Sequence, residues 1–212
     1  MKTTFYITTW NPEGAGTKRV VSSLKAQGVI DEHIKLITEK ISRPKSLNKA
    51  IVDCQTPYVG MLEDDVAFSD NAVSQLETLL DRMPNIGLAI ADVQQVGSER
   101  ELAESVVPSR PPNAGDDASL HSCSAQMWTL NFVLLRKSTN VRFDESYFGN
   151  QVFDWDYGLE LLRAGYLSVV DRRTKVRHVR TNYASKSLSY HAMVARNRHI
   201  FKTKWESRDT WT

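Results

Sequence analysis

Three consecutive carboxylates interrupt an otherwise apolar, strand-like run of the chain. The run begins at Tyr58, stops at Glu63-Asp64-Asp65 and resumes with Val66. Adjacent like charges repel one another, and burying them without partners costs free energy. Because successive strand side chains point to opposite faces, we expect Glu63 and Asp65 on one side and Asp64 on the other. A divalent cation with oxygen ligands would offset the repulsion. A solvated strand end or a helix cap would explain the triplet equally well.

Strand and helix signals alternate on both sides of the triplet. Strands that alternate with helices of about 10–15 residues favour a doubly wound α/β sheet, in which ligands bind beyond the carboxyl ends of the strands. Residues 8–11, Glu39 and the triplet all follow strands, so we expect them to converge on one edge of the sheet. Strand composition occurs at 4–9, 34–38, 86–93, 125–135 and 167–170, with a further short strand at 175–178, and helical spacing follows Thr17, Ser46, Asp70 and Ser187.

The size of the chain fits one globular domain with a substantial core. Its 212 residues are 41% hydrophobic and 25% charged, as in ordinary globular proteins. No apolar run approaches the ~20 residues that span a bilayer, and residues 1–4 lack the features of a signal peptide. The two cysteines, Cys54 and Cys123, make neither a disulfide framework nor a zinc quartet. These features predict a cytoplasmic protein without a transmembrane segment.

The second half of the chain carries two further signals. Residues 94–124 are rich in Gly, Pro and Asp and predict a long loop, either a functional lid or a disordered stretch. Basic residues crowd the last fifth, which suits phosphate-bearing ligands, nucleic acid or an anionic membrane, and is equally typical of a solvated helix. This basic set is Arg172, Arg173, Lys175, Arg177, Arg180, Lys186, Arg196, Arg198, Lys202, Lys204 and Arg208.

Two aspartates, Asp154 and Asp156, begin a predicted helix that ends near Gly165. Backbone N–H groups and the helix dipole favour carboxylates in a first turn, so capping alone would account for Asp154. His178 follows the next strands, and taken alone it is as readily an ordinary surface or core histidine.

In this order, the motifs resemble those of inverting glycosyltransferases of the GT-A fold, a large family that includes bacterial polysaccharide and rhamnosyl transferases. The resemblance runs from residue 4 to about residue 205. It implies an α/β, Rossmann-like GT-A fold, with a mostly parallel mixed sheet flanked by helices and a C-terminal helical extension. It also implies one catalytic domain over 1–212, with the nucleotide-binding half at about 1–93 and the acceptor half at about 94–212. The motifs are Trp10-Asn11, residues 46–50, Leu62–Asp65 as an Asp-x-Asp-type motif, residues 143–145, Asp154-x-Asp156 and residues 163–166.

The resemblance further implies roles for single residues. Asp65 would ligate Mn²⁺ or Mg²⁺, with His178 as a further metal or diphosphate contact. Asp154 would be the general base, and Asp156 would orient it or bind the acceptor. The nucleotide side would comprise Thr8, Thr9, Asn11 and Glu39 (where the family usually has Asp), with Glu63 and Asp64 near the ribose or metal-bound waters and Asn48 and Lys49 near the nucleotide or diphosphate.

The implied reaction moves a sugar from a nucleotide sugar, a UDP-sugar in the first instance, to an acceptor hydroxyl with inversion. A saccharide is the default acceptor. The basic end with its aromatic residues (Tyr183, Tyr190, Trp205 and Trp211) also permits a modified base in DNA. The alternative is a nucleotidyltransferase, or a nucleotide-binding module without transferase activity. Residues 14–19 faintly resemble the Gly-rich loop of nucleotidyltransferases.

Overall fold

The computed structural model describes residues 1–39, 42–96, 120–122, 131–149, 151–179 and 187–206. Most of the loop predicted at 94–124, with Cys123, lies outside these residues, as does the first part of the strand predicted at 125–135. Tyr183, Trp211 and the basic residues Arg180, Lys186 and Arg208 also lie outside them.

Strands and helices alternate along the described chain, as the sequence predicts. The strands are β1 (Thr3–Thr8), β2 (Ile34–Ile37), β3 (Tyr58–Glu63), β4 (Val66–Phe68), β5 (Ile86–Val96), β6 (Leu120–Ser122), β7 (Phe132–Arg136) and β8 (Leu167–Val179). The helices are α1 (Ala15–Ala26), α2 (Arg43–Asp53), α3 (Ala72–Arg82), α4 (Phe153–Arg163) and α5 (Leu188–Glu206).

Two element boundaries differ from the sequence prediction. Helix α2 begins at Arg43 rather than at Ser46, because Pro44 occupies its first turn, where a missing N–H breaks no helical bond. The two short strands predicted at 167–170 and 175–178 are one long strand, β8. Its register against β5 shifts between the pairs Ala91–Asp171 and Asp92–Lys175. This irregularity lies between the two apolar segments, which is why the sequence predicts two strands there.

The strands form one mixed sheet in the order β2-β1-β3-β7-β5-β8-β4, with β6 added beside β8. Strands β1, β2, β3, β5 and β8 run in one direction, and β4, β6 and β7 run against them. The expected mostly parallel mixed sheet with a terminal helix is therefore confirmed. Since β1, β2 and β3 are parallel neighbours, their carboxyl ends lie at the same edge of the sheet.

Each face of the sheet has its own hydrophobic core, because side chains alternate along the strands. In β1, Phe5 and Ile7 pack with residues of α1 and α3 on one face. Tyr6 points to the other face and packs with residues of α2 and α4. Burying one such large apolar side chain contributes about 1.5–3 kcal/mol, so the two cores hold the edge of the sheet rigidly.

Helix α5 is attached to α4 and to the segment before it by a partly buried charged cluster. Lys204 Nζ lies 2.8 Å from Asp156 Oδ2 and 2.9 Å from Asp144 Oδ2, and Trp205 Nε1 donates to Asp156 Oδ1 at 2.9 Å. Burial raises the pKa of Asp156, and the hydrogen bond and charge of Lys204 oppose that rise. None of the helices in the described part of the chain is long and apolar enough to cross a membrane.

Candidate active site

The acidic triplet, Glu63-Asp64-Asp65, forms the end of β3 and the turn into β4, and we call it the acidic turn. Its carboxylates point to two sides. Asp64 Oδ2 accepts a hydrogen bond from the Thr9 hydroxyl, and the Thr17 hydroxyl lies 3.4 Å from the same oxygen. Thr17 belongs to the first turn of α1. Asp64 therefore joins the ends of β1 and β3 to α1, and its expected contact with a ribose stays a prediction.

Glu63 and Asp65 lie together on the other side, as strand alternation predicts, and His178 of β8 lies between them. His178 Nε2 is 3.2 Å from Asp65 Oδ2 and 3.4 Å from Glu63 Oε2. Burial alone lowers the pKa of His178, but the hydrogen bonds and charges of Asp65 and Glu63 outweigh it and raise the pKa to about 9. We call these three residues the acidic cluster.

The acidic cluster fits a divalent cation. One potential ligand atom from each of its residues lies within 4.8 Å of the other two. Asp65 Oδ1 is buried and has no hydrogen-bond partner, so this hard oxygen ligand is available to a cation. Two carboxylates and an imidazole suit Mn²⁺, and Mg²⁺ accepts the carboxylates. The structure thus adds Glu63, expected near the ribose or metal-bound waters, to the residues that could hold the ion.

Glu63 has two further partners that the sequence did not suggest. Arg43 Nη2 donates to Glu63 Oε1 at 3.1 Å, and Asn131 Nδ2 donates to Oε2. Burial tends to raise the pKa of Glu63, but the bond to His178 and the charge of Arg43 hold it below its ordinary value. Glu63 is therefore ionised at neutral pH. No sequence motif indicates a role for Arg43 or Asn131, because only their closeness to Glu63 in the folded chain reveals it.

A cleft of about 300 Å³ opens at this edge of the sheet, next to the acidic turn. The hydroxyls of Thr8 and Ser42 are buried without hydrogen-bond partners. Ser42 and Arg43 stand at the start of α2, where free backbone N–H groups and a guanidinium attract anions. The cleft therefore suits an anionic ligand with hydroxyl groups. Its lining residues are Thr8, Thr9, Trp10, Ile37, Glu39, Ser42, Arg43, Ser46, Phe148 and Gly149.

The residues expected around the nucleotide are divided between the cleft and its surroundings. Thr8, Thr9 and Glu39 line the cleft, and Lys49 forms an exposed ion pair with Glu39. Trp10 lines it in place of the expected Asn11, whose carbonyl oxygen accepts hydrogen bonds from Gly14 N at 2.9 Å and Thr17 Oγ1 at 2.8 Å.

Asn48 is engaged outside the cleft, in contrast to its expected place near the nucleotide. Its Nδ2 donates to the Phe143 carbonyl and to Glu145 Oε1, each at 2.9 Å. Its Oδ1 accepts from Phe143 N at 2.8 Å. These bonds hold the 143–145 segment against α2, so Asn48 anchors this segment.

Asp154 is buried in the first turn of α4, with 8% of its surface exposed. Burial raises its pKa to about 7; the charge of Glu63 adds to this rise, and Arg43 opposes it. Its Oδ1 accepts a hydrogen bond from Trp155 N at 3.1 Å. Residues of α4 and α2 pack in the same core, so Asp154 lies on the same side of the sheet as Arg43, the partner of Glu63.

The structure contradicts the expectation that Asp156 acts beside Asp154. Residues two apart on a helix point to different sides. Asp156 has no exposed surface, and both of its oxygens are bonded, one to Lys204 and one to Trp205. A carboxylate enclosed in this way cannot reach an acceptor, so its role is to attach α5 to α4.

Replacing Gly16 with alanine should disturb the acidic turn. A Cβ at Gly16 would overlap the backbone oxygen of Asp64, which cannot move without shifting the turn. We expect Gly16→Ala to lower the free energy of unfolding by about 2 kcal/mol, although alanine favours helix, and to weaken Mn²⁺ binding. Urea unfolding and Mn²⁺ thermal-shift titration measure the two effects. The matched control is Ser22→Ala on the exposed face of α1, and equal behaviour of the two variants would contradict the expectation.

Solved structures with a similar fold include TarS of S. aureus (TM-score 0.59, 11% identity, 84% of this chain and 37% of that chain). TarS 1-349 in complex with UDP-GlcNAc has a TM-score of 0.57 and 12% identity, covering 93% of this chain and 66% of that one. A mannosyltransferase of Pyrobaculum calidifontis in complex with GDP-Man and Mn²⁺ has a TM-score of 0.59 and 11% identity, covering 87% and 59%. This chain thus spans two thirds or less of their length. No family model and no curated protein matches the chain. With sequence identity this low, the structural similarity shows a shared fold and nothing more.

Proposed function

We propose that this chain, whose fold is the GT-A fold predicted from the sequence, transfers a sugar from a nucleotide sugar to an acceptor hydroxyl with inversion. One observation supports the proposal most. Arg43 lines the cleft, bonds to Glu63 of the acidic cluster and acts electrostatically on Asp154. A residue of the cleft thus contacts the proposed cation site directly and lies within electrostatic range of a buried carboxylate, an arrangement that suits glycosyl transfer from a sugar diphosphate.

The cleft would hold the nucleotide of the donor. Its volume of about 300 Å³ is at the lower end of the range for small-molecule sites. The unpartnered hydroxyls of Thr8 and Ser42 would bond to the ligand, and Arg43 with the start of α2 would bind the diphosphate. The Glu39–Lys49 pair would contact the base edge. Among the similar structures, TarS 1-349 binds UDP-GlcNAc and the mannosyltransferase binds GDP-Man, and we propose a UDP-sugar as the first donor to test.

The acidic cluster would hold a Mn²⁺ or Mg²⁺ ion through Glu63, Asp65 and His178. When bound, the ion supplies positive charge that stabilises the departing diphosphate. Arg43 adds a second positive charge that belongs to the chain itself. Asn131 and Arg43 hold Glu63 in place, which limits the movement of the cluster.

Asp154 would be the general base. As the acceptor oxygen forms its bond to the anomeric carbon, the bond from that carbon to the diphosphate breaks and the hydroxyl proton passes to Asp154. Attack from the face opposite the diphosphate inverts the configuration. A base works best when its pKa lies near the working pH, and the pKa of about 7 for Asp154 meets this condition.

The acceptor that we propose is a saccharide. The basic residues predicted as a nucleic-acid surface are partly used within the fold. Arg173 Nε donates to Asp171 at 2.8 Å, Lys175 pairs with Asp92, and Lys204 pairs with Asp156. These ion pairs break up the basic set and leave less free charge for binding phosphates along a strand of DNA.

A panel of nucleotide sugars tests the proposal. Thermal shift with and without Mn²⁺ should identify one preferred nucleotide, because a ligand at a hundredfold excess over its Kd stabilises the fold by about 2.7 kcal/mol. Release of the nucleoside diphosphate with a saccharide acceptor then measures transfer. Release of pyrophosphate from a nucleoside triphosphate and a sugar phosphate would instead identify a nucleotidyltransferase. Absence of both binding and turnover across the panel would contradict the proposed function.

A further inference from the structure

Asn197 is a fully buried amide on a helix whose neighbouring residues, Arg196 and Arg198, are exposed. Its Oδ1 accepts a hydrogen bond from Phe148 N at 3.1 Å. Its Nδ2 donates to the carbonyl oxygens of Phe148, at 2.6 Å, and Gln151, at 2.9 Å. A side-chain amide has two donor hydrogens and one acceptor oxygen, so Asn197 uses every hydrogen-bonding group it has on one short stretch of backbone.

That stretch has an unusual backbone conformation. Gly149 has φ 69° and Val152 has φ 76°. For a β-branched residue such as Val152 a positive φ is strained, and strain of this kind persists only when the surrounding structure holds it. We call Phe148, Gly149, Gln151 and Val152 the strained turn.

One face of helix α5 packs against the strained turn. Met193, Arg196 and Asn197 are spaced i, i+3 and i+4 and therefore share a side of the helix. A Cβ at Gly149 would overlap the Met193 sulfur, so the backbone approaches the helix closely there. The Arg196 guanidinium lies 6.0 Å from the centre of the Phe148 ring.

The strained turn connects the cleft to the proposed base. Phe148 and Gly149 line the cleft, while Val152 is the N-cap of α4 and precedes Asp154 by two residues. A shift of the turn would therefore move the cleft wall and the Asp154 carboxylate together.

We infer that Asn197 is a positioning residue, which holds the strained turn so that Asp154 and the cleft wall keep their places beside the substrate. The inference rests on the proposed function. It makes the terminal helix part of the catalytic apparatus, although no residue of the helix needs to touch the reacting atoms. A merely structural Asn197 would contribute to stability and to nothing else.

The test compares Asn197→Ala and the isosteric Asn197→Asp with Leu79→Ala, a core truncation in α3 on the opposite face of the sheet. We expect Asn197→Ala to lower kcat about 10–100-fold, since small misplacements of reacting groups have effects of this size. The nucleotide should also bind more weakly, because Phe148 and Gly149 of the turn line the cleft. Asn197→Asp keeps the acceptor for Phe148 N but loses both donor hydrogens and sets a carboxylate oxygen against the carbonyl oxygens of Phe148 and Gln151, so we expect a loss of kcat of similar size. Leu79→Ala should lose stability and keep kcat.

Two measurements do not depend on catalytic turnover by the protein. Hydrogen exchange at the Phe148 amide, and the NMR titration of the Asp154 carboxyl, should both change in the Asn197 variants and stay as in wild type in Leu79→Ala. If wild type transfers no sugar but these changes occur, the proposed function fails while the positioning of Asp154 by Asn197 stands. If the Asn197 variants match Leu79→Ala in kcat, exchange and titration, the inference is overturned. Should Asn197→Ala not fold, the same comparison decides with Asn197→Asp.

Discussion

Asp154→Asn is expected to lower the rate of sugar transfer about 10²–10⁴-fold, the range that general-base catalysis supplies. Asparagine keeps the shape of the side chain and the acceptor for Trp155 N but cannot take a proton. Asp154 does not line the nucleotide cleft, so the Kd for the nucleotide should stay within about threefold of wild type. Initial rates at saturating donor and acceptor, with nucleotide Kd from thermal shift, separate the two effects.

The pH dependence of wild type offers a second check on the same residue. Because the base must be ionised, kcat/KM, which reports the free protein, should rise with pH through a midpoint near the Asp154 pKa of about 7 and level off above it. Asp154→Asn should remove that rise from the residual rate. A profile with the wild-type midpoint in the variant would assign the titration to another group.

The same substitution should stabilise the fold. In the unfolded chain the carboxyl has the ordinary aspartate pKa, while burial raises it to about 7 in the folded protein. The stability lost to ionisation therefore grows as pH rises from about 4 to about 7, and it is constant above that range. Asparagine does not ionise, so at pH 8 we expect the free energy of unfolding to rise by about 2 kcal/mol or more, with little change at pH 4.

Asp53→Asn is the matched control for both measurements, because Asp53 is an exposed carboxylate at the end of α2. It should change neither the rate nor the dependence of stability on pH. Full activity in Asp154→Asn would reject the base. A loss of activity accompanied by a loss of stability would instead indicate that the carboxylate supports the local structure.

The parts of the site that could be predicted from sequence are those that depend on local periodicity. Alternation along a strand correctly predicts that Asp64 lies apart from Glu63 and Asp65, although Asp64 and Asp65 belong to the turn that follows β3. The rule that ligands bind at the carboxyl ends of parallel strands is sufficient to bring Thr8, Thr9 and Glu39 to one cleft. Both arguments need only the order and direction of the strands.

The residues that sequence reasoning misplaced or missed depend on partners far away in the chain. Asp156 is expected from the sequence to orient Asp154 or bind the acceptor, but Lys204 and Trp205, almost 50 residues later, enclose it. Asn48 turns out to hold Phe143, and Arg43 gains importance only through its bond to Glu63. Asn197 carries no motif that reveals its contact with the Phe148 backbone. Hydrogen bonds over such separations follow from the packing of helices on the sheet, which composition and spacing do not specify.

Asp65→Asn should lower transfer by about 10³-fold and abolish stabilisation by Mn²⁺, an effect comparable in size to that of Asp154→Asn. The acidic cluster contains two carboxylates, and Asp65 carries the buried oxygen that has no protein partner. Removing this charge takes away one hard oxygen ligand and about half of the attraction for a divalent ion. Because the leaving diphosphate then lacks that stabilisation, a loss of several kcal/mol is expected, at 1.36 kcal/mol for each factor of ten.

Thermal-shift titration with Mn²⁺ alone measures the binding part of this expectation without any substrate. Wild type should gain stability with increasing Mn²⁺, and Asp65→Asn should not. His178→Gln should weaken the Mn²⁺ response in the same direction, because it removes the imidazole, which binds the ion once it has lost its proton. Asp70→Asn, an exposed carboxylate two residues beyond β4, is the matched control and should respond like wild type. A Mn²⁺ response and turnover that survive unchanged in Asp65→Asn would show that the cluster is held by His178 as a plain ion pair and that the cation site lies elsewhere.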